Sequence, residues 1–197
     1  EKHGIFDSPT TAAHCVWLED EDFDILKRHG VTVACCPASN LKLASGYANV
    51  PKMLESGINV ALGTDGAASN NNLNIMQDMY LFGVVYKGYF RDPTIITPAE
   101  VLRAATRAGA LSQGRGDSGL LAVGMRADLC VLNTDTPQFT PMTSAACNVV
   151  YAAQGADIRM TMVDGEVLYR DGEFKTIDIE KVKAKVQRRT DSILSRL

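Results

Sequence analysis

An apolar run that stops on a carboxylate constrains this chain more than any other feature. Val60-Ala61-Leu62 is followed by Gly63-Thr64-Asp65, with Gly57 before it and Gly66-Ala67-Ala68-Ser69 behind it. A short apolar run bounded by glycines reads as a strand buried on both faces, the kind that parallel sheets contain. Asp65 then stands at the strand's C-terminal end, where α/β folds bind ligands and barrels carry their catalytic groups. The small residues after it leave room for a ligand. Asn70, Asn71 and Asn72 offer N-caps to a helix expected from about Leu73 to Lys87, with Ile75, Met76, Met79, Phe82, Gly83 and Tyr86 on its inward stripe.

Two further units precede this one. Thr10 to Leu18 reads as a buried strand ending near His14, and the acidic run Glu19 to Asp24 opens a helix whose dipole it suits. Phe23, Ile25 and Leu26 face inward there, and Gly30 closes the helix. Val31 to Cys35 is the next strand, running into Cys36-Pro37-Ala38-Ser39-Asn40, and a short helix is expected over Val50 to Ser56. Thr97-Pro98-Ala99-Glu100 is a capping box that starts another helix, running to about Ala108. Three strand-and-helix units imply a parallel sheet and an α/β fold.

From Gly114 the texture changes. Glycines 114, 116, 119 and 124 punctuate the chain, Ala127 to Leu132 reads as a strand, and Met160 to Tyr169 holds two runs joined at Asp164-Gly165, a hairpin signal. Asp178 to Leu197 has apolar residues at helical spacing among basic ones and reads as a terminal helix. The expected division is therefore residues 1–113 as the strand-and-helix units and 114–197 as a small β-rich domain with a terminal helix.

Composition narrows the function classes. The 197 residues are 46% apolar and 22% charged, the balance of a globular protein rather than a disordered one. A net charge of −3, with basic residues clustered only from Lys181 to Arg196, leaves no electrostatic footprint for nucleic acid. No apolar stretch has the length of a membrane span and the start lacks a basic-then-apolar signal, so the expected location is the cytoplasm. The chain opens on Glu1 rather than Met, which suggests a processed product or a piece of a longer protein. Cys15, Cys35, Cys36, Cys130 and Cys147 are odd in number and form no C-x-x-C pair, so buried, reduced thiols are expected.

His14 and Asp65 are the candidates for chemistry, since strand ends of adjacent units converge in a parallel barrel or open sheet. Together they could hold and orient a metal-bound water. The plainer alternatives are a satisfied core histidine and a turn or N-cap carboxylate. Ser39/Asn40 and Ser69/Asn70 follow the neighbouring strands, while His29 sits at a helix C-terminus as a surface residue. There is no H-x-H and no H-E-x-x-H, so the sequence holds part of a site rather than a full three-ligand set. Arg115-Gly116-Asp117 is an adhesion-type tripeptide, but it falls where a glycine-rich turn is needed anyway.

Thr11 to Leu18, Pro37 to Leu43, Ser45-Gly46 and Leu62 to Asn71 together resemble the amidohydrolase superfamily. They are most similar to the 5′-methylthioadenosine/S-adenosylhomocysteine deaminases, with 8-oxoguanine deaminases and triazine chlorohydrolases as neighbours. Gly124 to Leu129 and Val163-Asp164-Gly165 resemble the small β-domain of the same enzymes. The resemblance implies a metal-dependent-hydrolase (β/α)₈ TIM barrel, of which this chain holds about the last three βα units, plus the β-domain. It implies one divalent metal, zinc by expectation, with iron or manganese also compatible with a single carboxylate. Asp65 matches the metal ligand and proton shuttle, and His14 the residue that orients the attacking water. Trp17, Ser69 and Asn70 fall where the family binds substrate. The reaction implied is deamination of an adenine-like ring by metal-bound hydroxide, on a small nucleoside-like substrate. The family's H-x-H, its strand 5 histidine and the glutamate three residues later would precede Glu1. A missing N-terminal barrel half is thus the first expected partner, and an incomplete barrel favours self-association into a homo-oligomer or an assembly role. Alone, the chain is expected to be inactive.

Overall fold

The computed structural model describes residues 1–196. Three short parallel strands form its first sheet in the order β1 (Thr11–Ala13), β2 (Thr32–Cys35), β3 (Asn59–Leu62). The register sets Ala12 beside Val33 and Val33 beside Val60. Val33 and Val60 are buried, as a parallel strand covered on both faces requires. The ladder runs past the strands to the residues of interest: His14 N donates to Ala34 O at 2.9 Å, and Gly63 N to Cys35 O at 2.9 Å.

Helices cover this sheet. α1 (Asp20–Arg28) opens on a capping box between Glu19 and Asp22 and buries Phe23 and Leu26, with Ile25 half-buried. α2 (Pro37–Lys42), which the sequence left unassigned, follows β2 directly with Pro37 at its first position. α3 (Val50–Glu55) is capped by Asn49, and Met53 points from it into the core.

The segment after β3 departs from expectation. Ala67–Asn70 forms a helical turn of its own, α4, which ends where Asn71 takes φ 64°, a left-handed conformation that asparagine tolerates. The long helix α5 therefore starts later, at Ile75–Phe90, and its cap is Asn74, whose Oδ1 accepts from Met76 N, rather than Asn70, Asn71 or Asn72. Met79, Phe82, Gly83 and Tyr86 of α5 are buried as expected, and so is Asp78.

The capping-box helix α6 (Pro98–Ala105) also stops early. Thr106 Oγ1 donates to Leu102 O at 2.7 Å, taking the carbonyl that the next helical N–H would use, and the chain restarts as α7 (Arg107–Ser112). Both lie against β3.

A second sheet is antiparallel, in the order β4 (Leu129–Leu132), β5 (Ile158–Val163), β6 (Glu166–Arg170), β7 (Glu173–Phe174). Asp164 and Gly165 join β5 to β6 with φ of 51° and 81°, the paired positive values of a tight hairpin turn. Between β4 and β5 the chain makes an unanticipated helix, α8 (Ala145–Tyr151), which packs on α5 and α6 and buries Val150 in the first sheet's core. At seven residues, about two turns, it carries too little periodicity to be read as a helix. The terminal helix α9 (Ile179–Leu194) is capped by Asp178 and buries none of its residues; Leu197, placed in this helix by its sequence pattern, lies outside the described residues.

The expectation that all five thiols are buried needs correction. All are free; Cys35 and Cys36 are buried, Cys15 is half-buried, and Cys130 on β4 and Cys147 on the outward side of α8 are exposed. No helix is long and apolar enough to cross a membrane among the described residues.

Candidate functional site

The first sheet places His14 and Asp65 just beyond the C-terminal ends of β1 and β3, and the segment after the intervening strand β2 fills the space between them. His14 and Asp65 take φ of 66° and 60°. Left-handed backbone outside glycine is uncommon and collects at functional sites, where packing holds it in place. His14 Nε2 and Asp65 Oδ2 face each other at 3.8 Å.

Both side chains are held from α2. Ser39, buried, donates its hydroxyl to Asp65 Oδ2 at 2.6 Å, and Asp65 Oδ1 accepts from Gly66 N at 2.7 Å. The Ser39 bond first, and the Gly66 amide second, hold the Asp65 carboxyl down to about 2, so it is ionised throughout the neutral range. Asn40 Oδ1 lies 2.8 Å from His14 Nδ1. An amide oxygen only accepts, so with Asn40 in this orientation Nδ1 carries the proton and Nε2 faces Asp65. Asn40 Nδ2 is buried with no partner among the described residues, which leaves a free donor beside the histidine.

A third layer holds α2 itself. Buried Asp78 of α5 accepts from Ala38 N at 3.1 Å through Oδ1 and from Asn70 Nδ2 at 3.1 Å through Oδ2. Burial pushes the Asp78 carboxyl up, and those two hydrogen bonds oppose the rise. Asn70 Nδ2 also donates to Thr64 O at 2.7 Å.

Of the other candidates, Ser69 is half-buried on α4 and donates to Gly66 O, while Asn70 is buried with its amide turned toward Thr64 and Asp78. Trp17 is 86% exposed, in the segment that follows His14. His29 lies away from the site, against Glu1 and Phe6. Asp117 of the Arg-Gly-Asp stretch pairs with Arg126, so the tripeptide serves a local turn. Burial pushes Cys36 up to about 11 and Cys35 up to about 12, so neither carries a thiolate at neutral pH. A cavity of about 700 Å³ lies instead between α5, α6 and the second sheet and is lined mainly by apolar side chains.

Ser39 and Asn40 were visible in the sequence as residues following a strand, but not their direct hold on Asp65 and His14. Asp78 was missed. Its signal is a carboxylate on the apolar stripe of α5, between Ile75 and Phe82 at helical spacing, where a solvated charge has no place.

An ionised carboxylate and an imidazole facing each other at strand ends are the donor types that a divalent transition metal takes. They fit part of such a centre. Among the described residues no three His, Cys, Asp or Glu side chains come together.

A parallel sheet with polar residues gathered at its strand ends is an α/β framework of the kind that binds ligands there, and comparison specifies it further. Residues 1–168 match the model of the Amidohydrolase family, and the chain belongs to that family. It is 48% identical over 187 residues to a 5-methylthioadenosine/S-adenosylhomocysteine deaminase of Acetivibrio thermocellus, covering 94% of this chain and 43% of that protein. It is 41% identical to a 5′-deoxyadenosine deaminase of Methanosarcina mazei, covering 98% of this chain and 45% of that protein. A zinc-bound adenosine deaminase from Xanthomonas campestris superposes with a TM-score of 0.91 at 31% identity, over 94% of this chain and 42% of that one. The chain thus spans less than half the length of these proteins.

Proposed function

We propose that the longer protein to which this chain corresponds is a zinc-dependent deaminase of adenine-like nucleosides, of the 5′-methylthioadenosine, S-adenosylhomocysteine or adenosine class. In this reading the chain supplies barrel strands 6 to 8 and the β-domain. The observation that carries it is Asp65, ionised at the end of β3, with His14 Nε2 at 3.8 Å. The names of the relatives supply the substrate class.

Asp65 would hold the metal through its carboxylate, and the remaining ligands would come from the rest of the protein. When bound, zinc lowers the pKa of a water to near neutrality. Asp65 would accept a proton from the attacking water as its oxygen bonds to the amine-bearing ring carbon, and that proton would pass to the amine, so that the C–N bond breaks and ammonia leaves. His14, fixed through Nδ1 by Asn40, presents Nε2 to orient the incoming oxygen. Ser69 and Trp17 line the approach for the nucleoside, and Asn70 shapes the loop from within. Residues 1–113 form the catalytic unit and 114–197 the accessory domain, with α8 docking one on the other. The chain alone is inactive, and its open strand edges at β1 and β3 among the described residues favour association with the missing half or with further copies.

The test is Asp65→Asn in the full-length protein. The amide keeps the shape but loses the charge and the proton acceptor, so turnover should fall at least about 10²–10⁴-fold with the fold intact. His14→Asn should damage turnover comparably while retaining the metal. Near-normal deamination of every adenine-like nucleoside tried by Asp65→Asn would move the active site elsewhere.

A further inference from the structure

The carboxylate of Asp78 is 1% exposed and touches neither His14 nor Asp65 in the hydrogen-bond network. A buried acid is costly, and an apolar residue would serve the core of α5 better unless the acid does something that packing cannot. Its two oxygens are divided between the two segments that carry the site. Oδ1 takes the N–H of Ala38, a free donor of the first turn of α2, and Oδ2 takes Asn70 Nδ2 at the end of the loop that begins with Thr64. Residues adjacent to Ala38 on α2 are those that grip the site: Ser39 holds Asp65, and Asn40 holds His14. The same Asn70 amide pins Thr64 O, one residue before Asp65.

We infer that Asp78 is a positioning residue that clamps α2 and the Thr64–Asn70 loop together and so sets the spacing of His14 and Asp65. The inference rests on the reading of that pair as the reacting centre. Asp78 acts through Ser39, Asn40 and Asn70, and meets no substrate. A rigid link of this kind is needed because α2 and the loop belong to different strand-and-helix units, and the sheet hydrogen bonds that join those units end at Gly63. It places a carboxylate two contacts from a metal ligand, where an outer partner commonly changes metal affinity or activity about 10–100-fold.

The test is Asp78→Asn in the full-length, zinc-loaded protein, with Val101→Ala as a control. Val101 is a fully buried core residue on α6 outside the network. An asparagine can still accept from Ala38 but presents an NH₂ to the Asn70 amide, so the clamp opens on one side. Expected are a zinc affinity weakened about 10-fold in chelator competition and a kcat lowered about 10–100-fold with KM little changed. Val101→Ala should lower the melting temperature while leaving zinc affinity and kcat of the folded protein in place. If Asp78→Asn behaves like that control, Asp78 is merely structural and the inference is overturned. If Asp78→Asn does not fold, Asn70→Ser cuts the clamp from the loop side and must show the same two losses; keeping both zinc affinity and kcat would overturn it equally. Asp65→Asn run in parallel separates the cases, since retention of turnover there defeats the reading of the centre itself rather than the clamp.

Discussion

Replacing Gly83 by alanine measures how tightly α8 is seated on α5. Gly83 lies on the buried face of α5, where a Cβ would stand 3.1 Å from Tyr151 Cε1, 3.2 Å from Val150 Cγ1 and 3.5 Å from Val101 Cγ2. Two opposing terms decide the outcome. Alanine is favoured over glycine inside a helix by about 0.8–1.0 kcal/mol. Forcing a methyl into a packed core costs about 1–3 kcal/mol. Val150 is 1% exposed and Val101 0%, so neither can withdraw, whereas half-buried Tyr151 can turn its ring aside. The two closer contacts are shorter than an optimal carbon separation of about 3.5–4.0 Å, so the overpacking term wins by a small margin. Gly83→Ala should cost from about zero to about 2 kcal/mol in urea unfolding followed by circular dichroism. Gly83→Leu, whose outer atoms would have to displace α8, should cost clearly more than Gly83→Ala. Stabilisation of Gly83→Ala by the full helix-propensity gain would mean that α8 does not rest on α5 at that point.

Two smaller predictions concern the site. Ser39→Ala removes the first cause of the low Asp65 pKa, so that carboxyl should titrate above about 2, toward its ordinary 3.8, in carbon-detected NMR. The sign follows from linkage: a depressed folded pKa adds stability that is complete above the ordinary value and disappears as pH falls through the folded one, so the variant gives up acid tolerance between about 2 and 3.8. An unchanged Asp65 titration would mean that the Ser39 bond does not hold the charge. Dialysed without chelator, the chain alone should retain well under one equivalent of zinc, since catalytic zinc takes about three protein ligands and only Asp65 and His14 face each other here. One full equivalent by elemental analysis would point to ligands outside that pair.

Much of this protein was decided by its sequence alone, because the deciding forces act within a few residues. Short apolar runs that follow a helix-ending glycine are too short for a core helix and suit a covered strand, so β2 and β3 were legible, and with them the strand-end position of Asp65. The Thr97 capping box and the Asp164-Gly165 turn satisfy their backbone groups locally and were legible for the same reason. The family, too, could be recognised from the residues around His14, Asn40 and Asp65. Other features waited on tertiary structure. The packing of α8 against α5 and α6, the early break at Thr106 and the exposure of Cys130 and Cys147 depend on which surface each segment meets. So does the 3.8 Å between His14 and Asp65, which joins residues on strands separated by β2 and requires left-handed backbone at both. Asp78 shows the reason most plainly: on its helix it is one charge misplaced on an apolar stripe, and only the folded chain brings Ala38 and Asn70 to its two oxygens. Local chemistry selects the elements, but the partners of a buried polar group come from distant parts of the chain, and their distances exist only after the elements have packed.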